Sequence, residues 1–166
     1  IEALISMIKN IVLKVNSKEF RIHNKYRKEI EAASLIPGNK ESLINALLYE
    51  YSEDWENTKD YFNPMRKIAD SIFSACKREG IIPDVGDLNK ISTFLDKNNH
   101  ETYSITEEIM PKPLARALWY FLDITQDASH DKDGLRLKVS EYVRENQNIN
   151  LFRSVLYIAM DLCLWY

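Results

Sequence analysis

Residues 114–134, LARALWYFLDITQDASHDKDG, form the stretch that decides the fold. Their apolar side chains recur every three or four positions, which predicts a helix with one apolar face turned toward a core. Pro113 suits the first turn of this helix, where its missing N–H group costs no hydrogen bond. The turn formers at 127–134 predict that the helix ends at 128–129. His130 would then follow a helix C-terminus, where unpaired carbonyl groups favour an imidazolium.

A second apolar stretch lies at 149–166. It is apolar on nearly every side, and Arg153 and Asp161 are its charged exceptions. A helix of this kind belongs in the middle of a bundle or at a subunit interface.

A heptad-like seam, interrupted at Pro64 and ended at Gly80, predicts further core helices. The seam consists of Ile44, Leu48, Tyr51, Trp55, Thr58, Phe62, Met65, Ala69, Ile72 and Cys76.

The composition sets the fold class and the environment. No stretch alternates apolar and polar residues with period two, so the chain is predicted to be all-α. Its 166 residues suffice for one well-packed core, and four Gly with five Pro leave little room for loops. Cys76 and Cys163 lie in apolar helical patterns without metal-ligand spacing, which predicts reduced core thiols in a cytoplasmic protein. No run approaches about 20 apolar residues, which argues against a membrane span.

A turn signal, Pro37-Gly38-Asn39, predicts a boundary between an N-terminal helical arm, residues 1–36, and a helical bundle, residues 40–166. The first helix of the arm carries apolar residues at helical spacing: Leu4, Ile5, Ile8, Ile11, Val12 and Val15. The next, predicted from Lys18 to Ala33, has an apolar edge formed by Ile22, Tyr26, Ile30 and Ala33. Because the chain opens on Ile1 rather than Met, we also expect that it is a piece of a larger protein.

A basic stripe accompanies that second helix. Its members are Lys18, Arg21, Lys25 and Lys28, whose spacing of three, four and three places them on one helix face. One interpretation is a surface for RNA or for an acidic partner. The ordinary interpretation is a solvated basic face, because phosphate binding usually requires more positive charge. The formal net charge of −3 gives no overall attraction to nucleic acid.

Few site types fit the sequence. It has no Gly-rich phosphate loop, no zinc-ligand spacing and no recognisable Ser/His/Asp arrangement, so we expect neither a metal nor a small-molecule cofactor. One constellation remains. Arg66 and Asp70 are four residues apart and project from one side of a helix. If that helix lies beside the one that precedes His130, the three side chains meet at one end of the bundle.

Those three groups suffice for metal-free RNA cleavage. His130 would move the proton of a ribose 2′-hydroxyl or of the leaving oxygen. Arg66 would stabilise the charge that grows on the phosphate, and Asp70 would orient one of the other two. The alternative is an ordinary surface ion pair and an unrelated histidine in a polar turn.

The run Asn63-Pro-Met-Arg-Lys-Ile-Ala-Asp70, the helix ending Ala-Ser-His and the last apolar helix together resemble HEPN-like domains, helical bundles of bacterial defence and toxin systems. Catalytic members usually carry Arg, then four to six residues, then His; counted back from His130, the Arg positions hold Thr125, Ile124 and Asp123. A variant found in bacterial anticodon nucleases takes Arg and Glu from an earlier helix and Ser-His from the end of a later one. Arg66, Asp70 and Ser129-His130 are similar to that version, with Asp in place of Glu.

The resemblance, which covers roughly residues 45–166, implies an all-α, HEPN-like bundle. Because the usual arginine is missing, we expect first a non-catalytic interaction or regulatory module of a bacterial defence or stress protein. The resemblance also implies a homodimer, whose apolar last helix would suit the interface. A metal-independent endoribonuclease acting on RNA is the alternative. A purely structural helical segment of a larger protein, contacting the other domains of that protein, is the third possibility.

Overall fold

A computed structural model describes residues 2–15, 17–52, 62–82, 109–129 and 149–166. These residues form seven α-helices and no strand, which confirms the all-α class. The helices are α1 (Glu2–Val15), α2 (Lys18–Lys25), α3 (Arg27–Ala33), α4 (Asn39–Ser52), α5 (Phe62–Arg78), α6 (Lys112–Ser129) and α7 (Ile149–Trp165). Over the described ranges, no helix combines the length and the apolar character that a bilayer crossing needs.

Helices α5 and α7 run in the same direction. At one end, the rings of Phe62 and Phe152 meet edge to face, with centroids 5.8 Å apart. At the other, the hydroxyl of Tyr166 donates to Glu79 Oε1 at 2.8 Å. Contacts at both ends in the same order require parallel axes.

Helix α6 runs opposite to α7. The indole N–H of Trp165 donates to the carbonyl of Ile109, just before α6 begins, at 3.2 Å. Farther along, the hydroxyl of Ser154 donates to that of Tyr120 at 3.3 Å. Because the start of α6 lies at the end of α7, the C-terminus of α6 lies at the same end of the bundle as the N-termini of α5 and α7.

Helix α4 completes an up-and-down arrangement. Its first residue, Asn39, accepts a hydrogen bond from Ser71 in α5 at 2.6 Å. Near its last turn, Glu50 accepts one from Arg153, in the first turns of α7, at 2.9 Å. α4 is therefore antiparallel to both α5 and α7, and its C-terminus joins the end of the bundle where α5 and α7 begin.

The centre of the bundle is α7, which packs against α3, α4, α5 and α6. Its fully buried side chains are Phe152, Val155, Leu156, Ala159, Leu162 and Cys163. The prediction that an all-round apolar helix lies inside the bundle is confirmed. The predicted α6 is confirmed as well, with Leu118, Phe121 and Ile124 buried on its apolar face.

The segment predicted as one helix from Lys18 to Ala33 is two. The backbone leaves helical geometry at Tyr26, with φ −115° and ψ 36°, so Tyr26 ends α2 and begins α3. The predicted apolar edge is nevertheless buried as expected. Because α2 and α3 pack on α4, and α3 also packs on α7, these two helices share the core of the bundle. At the predicted boundary, Pro37 and Gly38 form a turn, with Gly38 at φ +86°, and α4 begins at Asn39; the role of this turn as a domain boundary stays a prediction.

The remaining part of the predicted arm, α1, behaves differently. Among the described helices it packs mainly on α2. Its large apolar side chains are 47–69% exposed: Leu4, Ile5, Met7, Ile8, Ile11, Val12 and Leu13. A helix with this exposure gains little free energy from the bundle that it precedes.

Two local details of the middle helices bear on the predicted seam. Phe62, Met65, Ala69, Ile72 and Cys76 are buried as predicted, and Gly80, at φ +73°, ends α5. The N–H groups of Gly80 and Ile81 donate to the carbonyls of Lys77 and Cys76, which is the Schellman motif.

In α4 the buried positions are shifted by one residue. Leu43 and Leu47 are fully buried, whereas Ile44 and Leu48 are half-buried. The part of the seam that includes Trp55 and Thr58 lies outside the described residues.

Candidate functional site

The predicted pair of Arg66 and Asp70 is formed on α5. The guanidinium Nε of Arg66 donates to both carboxylate oxygens of Asp70 at 3.2 Å. The two residues are one helical turn apart, so the helix itself brings them together. Asp70 is half exposed, whereas only 18% of the Arg66 side chain is exposed. The pair therefore opens to solvent from the carboxylate side.

The guanidinium of Arg66 has hydrogen-bond donors that the Asp70 carboxylate does not use. Its Nη1 is buried and has no hydrogen-bond partner within the described part of the chain. A guanidinium carries five N–H donors, and a buried donor without an acceptor is unfavourable by about 1–3 kcal/mol. An arginine in this state favours any anion that reaches the unpaired nitrogen.

The bundle places this pair near the end at which α6 finishes. Arg66 lies in the first turns of α5, and α6 is antiparallel to α5 and ends at Ser129. His130, the third member of the predicted constellation, lies outside the described residues. Its proximity to Arg66 and its role therefore stay predictions.

The four basic residues predicted to share one face occupy two helices. Lys18, Arg21 and Lys25 lie on α2, and Lys28 lies on α3 beyond the break at Tyr26. All four are exposed. The ammonium of Lys25 lies 4.8 Å from the centre of the Tyr26 ring, and a hydrogen bond to Tyr26 raises the pKa of Lys25. Binding of RNA or of an acidic partner by these residues stays a prediction.

Sequence reasoning missed a polar cluster where α4, α7 and the α2–α3 junction meet. Arg153 Nε donates to Glu50, whose side chain is only 13% exposed. Partial desolvation raises the pKa of Tyr157, and the nearby Tyr26 and Glu50 raise it further. One signal was present in the sequence, because Arg153 is a lone cation on an apolar helix. Its partner, Glu50, is 103 positions away, and no sequence pattern connects the two residues.

The cysteines are core residues, as predicted. Both are free thiols with almost no exposed surface. Burial raises the pKa of Cys76 to about 11 and that of Cys163 to about 12. Their thiolate forms are therefore scarce near neutral pH. Across the residues that the structure describes, no group of three His, Cys, Asp or Glu side chains is placed to hold a metal ion.

Comparison of the chain with models of protein families, with curated proteins and with solved structures found no match. The resemblance to HEPN-like domains, inferred from helix order and from the short patterns around Arg66 and His130, therefore stays a prediction. The structure provides three observations on which a functional proposal can be based: the all-helical bundle, the Arg66–Asp70 pair and the exposed α1.

Proposed function

We propose that this protein is a non-catalytic interaction or regulatory module that acts as a dimer, within a bacterial defence or stress protein. The observation that carries the proposal is α1. Seven large apolar side chains on this one helix are about half exposed or more, and within the described residues the helix packs mainly on α2. Apolar surface gathered in this way marks an interaction site far more often than it marks an ordinary surface.

The bacterial and defence context of the proposal comes from the resemblance to HEPN-like domains. Members of that family often dimerise. The interior of the bundle supports a packed scaffold, because the buried side chains of α2 to α7 form one continuous apolar core. A stable scaffold that presents one unburied helix is a suitable architecture for a binding module.

Size-exclusion chromatography with light scattering tests the proposal. We expect a mass of twice the 19.5 kDa of the chain, falling toward the monomer on dilution. A chain that is monomeric at every concentration would contradict the dimer. Circular dichroism should show the same helical content on both sides of the dissociation, because the bundle core lies within one chain.

A second candidate function is metal-independent cleavage of RNA. It is favoured by the buried guanidinium of Arg66 with its unpaired Nη1, at the end of the bundle where α6 finishes. An unpaired guanidinium nitrogen suits a phosphate, and His130 would supply the proton transfer. The exposed basic residues Lys18, Arg21, Lys25 and Lys28 would then hold the RNA backbone.

Cleavage of tRNA or other RNA in EDTA tests this candidate, with His130→Ala and Arg66→Ala expected to abolish it. Arg27→Ala is the matched control, because Arg27 also pairs with a carboxylate four residues on, Glu31, but on an exposed surface. Intact RNA after incubation with a folded wild-type protein would remove the candidate. Replacing the four basic residues by Glu should weaken RNA retention at low salt if they contact phosphates.

A further inference from the structure

The apolar face of α1 has the same spacing of apolar residues in both directions along the helix. Its members are Leu4, Ile5, Ile8, Ile11 and Val12, placed at −4, −3, 0, +3 and +4 relative to Ile8. All five are 47–61% exposed. A twofold axis pairs residue i with j and j with i, so an interface of this kind requires a surface that is complementary to itself. The face of α1 meets that requirement when two copies lie antiparallel.

The charges on α1 also favour the antiparallel direction. In the sequence, the acidic Glu2 lies six positions before Ile8 and the basic Lys14 lies six positions after it. An antiparallel pair centred on Ile8 brings the end of each helix that carries Glu2 to the level at which the other helix carries Lys14, so the charges at adjoining ends have opposite sign. Both positions lie about 120° around the helix from Ile8, outside the contact face, so this attraction acts at a distance. A parallel pair would bring like charges together. The helix dipoles agree, because they attract when antiparallel and repel when parallel.

The neighbouring helix adds a third argument. α2 begins three positions after α1 ends and carries the exposed Lys18, Arg21 and Lys25. Parallel pairing would place the α2 helices of both copies side by side and crowd these positive charges. Antiparallel pairing places them at opposite ends of a helix that is about 21 Å long, beyond the screening length of about 8 Å at physiological salt.

The available apolar area is of the size that a dimer uses. Full burial of an aliphatic side chain removes roughly 60–120 Å² from water, so the half-exposed face with its neighbour Met7 offers roughly 200–400 Å² per copy. A standard interface buries about 800 Å² per partner, of which slightly more than half is apolar. The face therefore supplies roughly half or more of the apolar part of such an interface.

We propose that α1 docks against α1 of a second copy of this chain, antiparallel, with the twofold axis at Ile8. In this arrangement Leu4 packs on Val12 of the partner subunit, Ile5 packs on Ile11 of the partner subunit, and the two Ile8 side chains meet. This inference rests on the proposed dimer and specifies its interface.

Disulfide crosslinking of the full chain tests the arrangement. Ile8→Cys should crosslink with itself on mild oxidation, and a mixture of Leu4→Cys and Val12→Cys chains should give mixed dimers. Leu4→Cys alone should not crosslink, because two such residues would be about 12 Å apart along the antiparallel pair. Leu13→Cys is the matched control, about 140° around the helix from Ile8. The native thiols interfere little, since both are buried and have raised pKa values.

A second pair of variants measures the energetics. Ile8→Asn should weaken the dimer at least about tenfold, whereas Leu13→Asn should change it little, although Leu13 is the more exposed residue. Circular dichroism and thermal unfolding of both variants, at a concentration where the wild type is monomeric, establish that the bundle remains folded.

Each other outcome has a distinct meaning. Self-crosslinking of Leu4→Cys and of Val12→Cys, without mixed dimers, would assign a parallel pair and overturn this inference. A dimer that survives Ile8→Asn and shows no crosslinks in α1 would overturn it while leaving the proposed dimer intact. A monomer at all concentrations would overturn both, and its flotation with phosphatidylcholine vesicles would assign the apolar face to a lipid surface instead.

Discussion

Helices α1 and α7 are both rich in aliphatic residues, yet the fold treats them in opposite ways. The large apolar side chains of α1 are 47–69% exposed, whereas Phe152, Val155 and Leu162 of α7 are fully buried. α7 packs on four other helices, whereas among the described helices α1 packs mainly on α2. The comparison shows that an apolar helix in a sequence predicts burial but does not say whether its own chain provides it.

The two helices should therefore differ in what their side chains stabilise. Those of α7 contribute to the unfolding free energy of a single chain. Those of α1 contribute to association, and their effect should depend on protein concentration. The following predictions separate these contributions, beginning with the largest expected effect.

Phe152→Ala should reduce the unfolding free energy by about 3–5 kcal/mol. Phe152 is fully buried and its ring contacts that of Phe62, so the substitution leaves a cavity between α5 and α7. Urea unfolding followed by circular dichroism measures the change. Leu164→Ala, on the same helix but 48% exposed, should cost no more than about 0.5 kcal/mol. Equal effects of the two variants would contradict a buried α7.

Glu50→Gln should reduce stability by about 1–2 kcal/mol, because it leaves Arg153 without its carboxylate in a partly buried setting. Denaturant unfolding at neutral pH measures this loss. Glu31→Gln breaks the exposed ion pair with Arg27 and should have no measurable effect on the unfolding midpoint. If both variants unfold with the wild-type midpoint, the link between α4 and α7 contributes nothing.

Stability should fall as the pH rises above 9, by about 1 kcal/mol per pH unit for the thiol of Cys163. Burial raises the pKa of Cys163 from 9.0 to about 12 in the folded state. Between these values the unfolded chain has lost the proton that the native chain keeps, so unfolding becomes easier with rising pH. Urea unfolding at several pH values should give a shallower decline for Cys163→Ala than for the wild type. Identical slopes would mean that this thiol is accessible in the native state.

Val12→Ala on α1 should change the stability of the dilute monomer by less than about 0.5 kcal/mol, because Val12 is 51% exposed. At high protein concentration the same variant should lower the unfolding midpoint, since dimerisation adds stability by mass action. Thermal unfolding over a range of concentrations measures both effects. A large loss in the dilute sample would place the apolar face of α1 within the core of its own chain.

Periodicity predicted those helices whose apolar residues follow one pattern. α6 and α7 lie where the sequence places them, because their spacing or all-round apolar character allows one solution. In α4 the apolar residues Leu43, Ile44, Ala46, Leu47 and Leu48 are nearly continuous, so spacing alone did not choose between two registers. Contacts with α5, α7, α2 and α3 made the choice, and these are not local. The break at Tyr26 is likewise invisible in sequence, because the apolar spacing continues through it.

The candidate site was predictable only where it is local. The Arg66–Asp70 pair follows from two residues one helical turn apart. The burial of Arg66 Nη1 does not, because it depends on how the helices around the start of α5 pack. Arg153 and Glu50 lie 103 positions apart, and nothing near Glu50 in the sequence indicates a buried partner. The exposure of α1 is a further property that composition could not reveal.

The position of α7 in the chain has a consequence for biosynthesis. Residues 149–165 leave the ribosome after the helices on which they pack. The apolar faces of α3, α4 and α5 therefore stay exposed until α7 has been synthesised. Nascent chains that expose apolar surface in this way are the substrates of holding chaperones. Closure between such distant segments also slows folding. Ribosome stalling upstream of residue 149 should therefore yield chains that are helical, protease-sensitive and chaperone-bound.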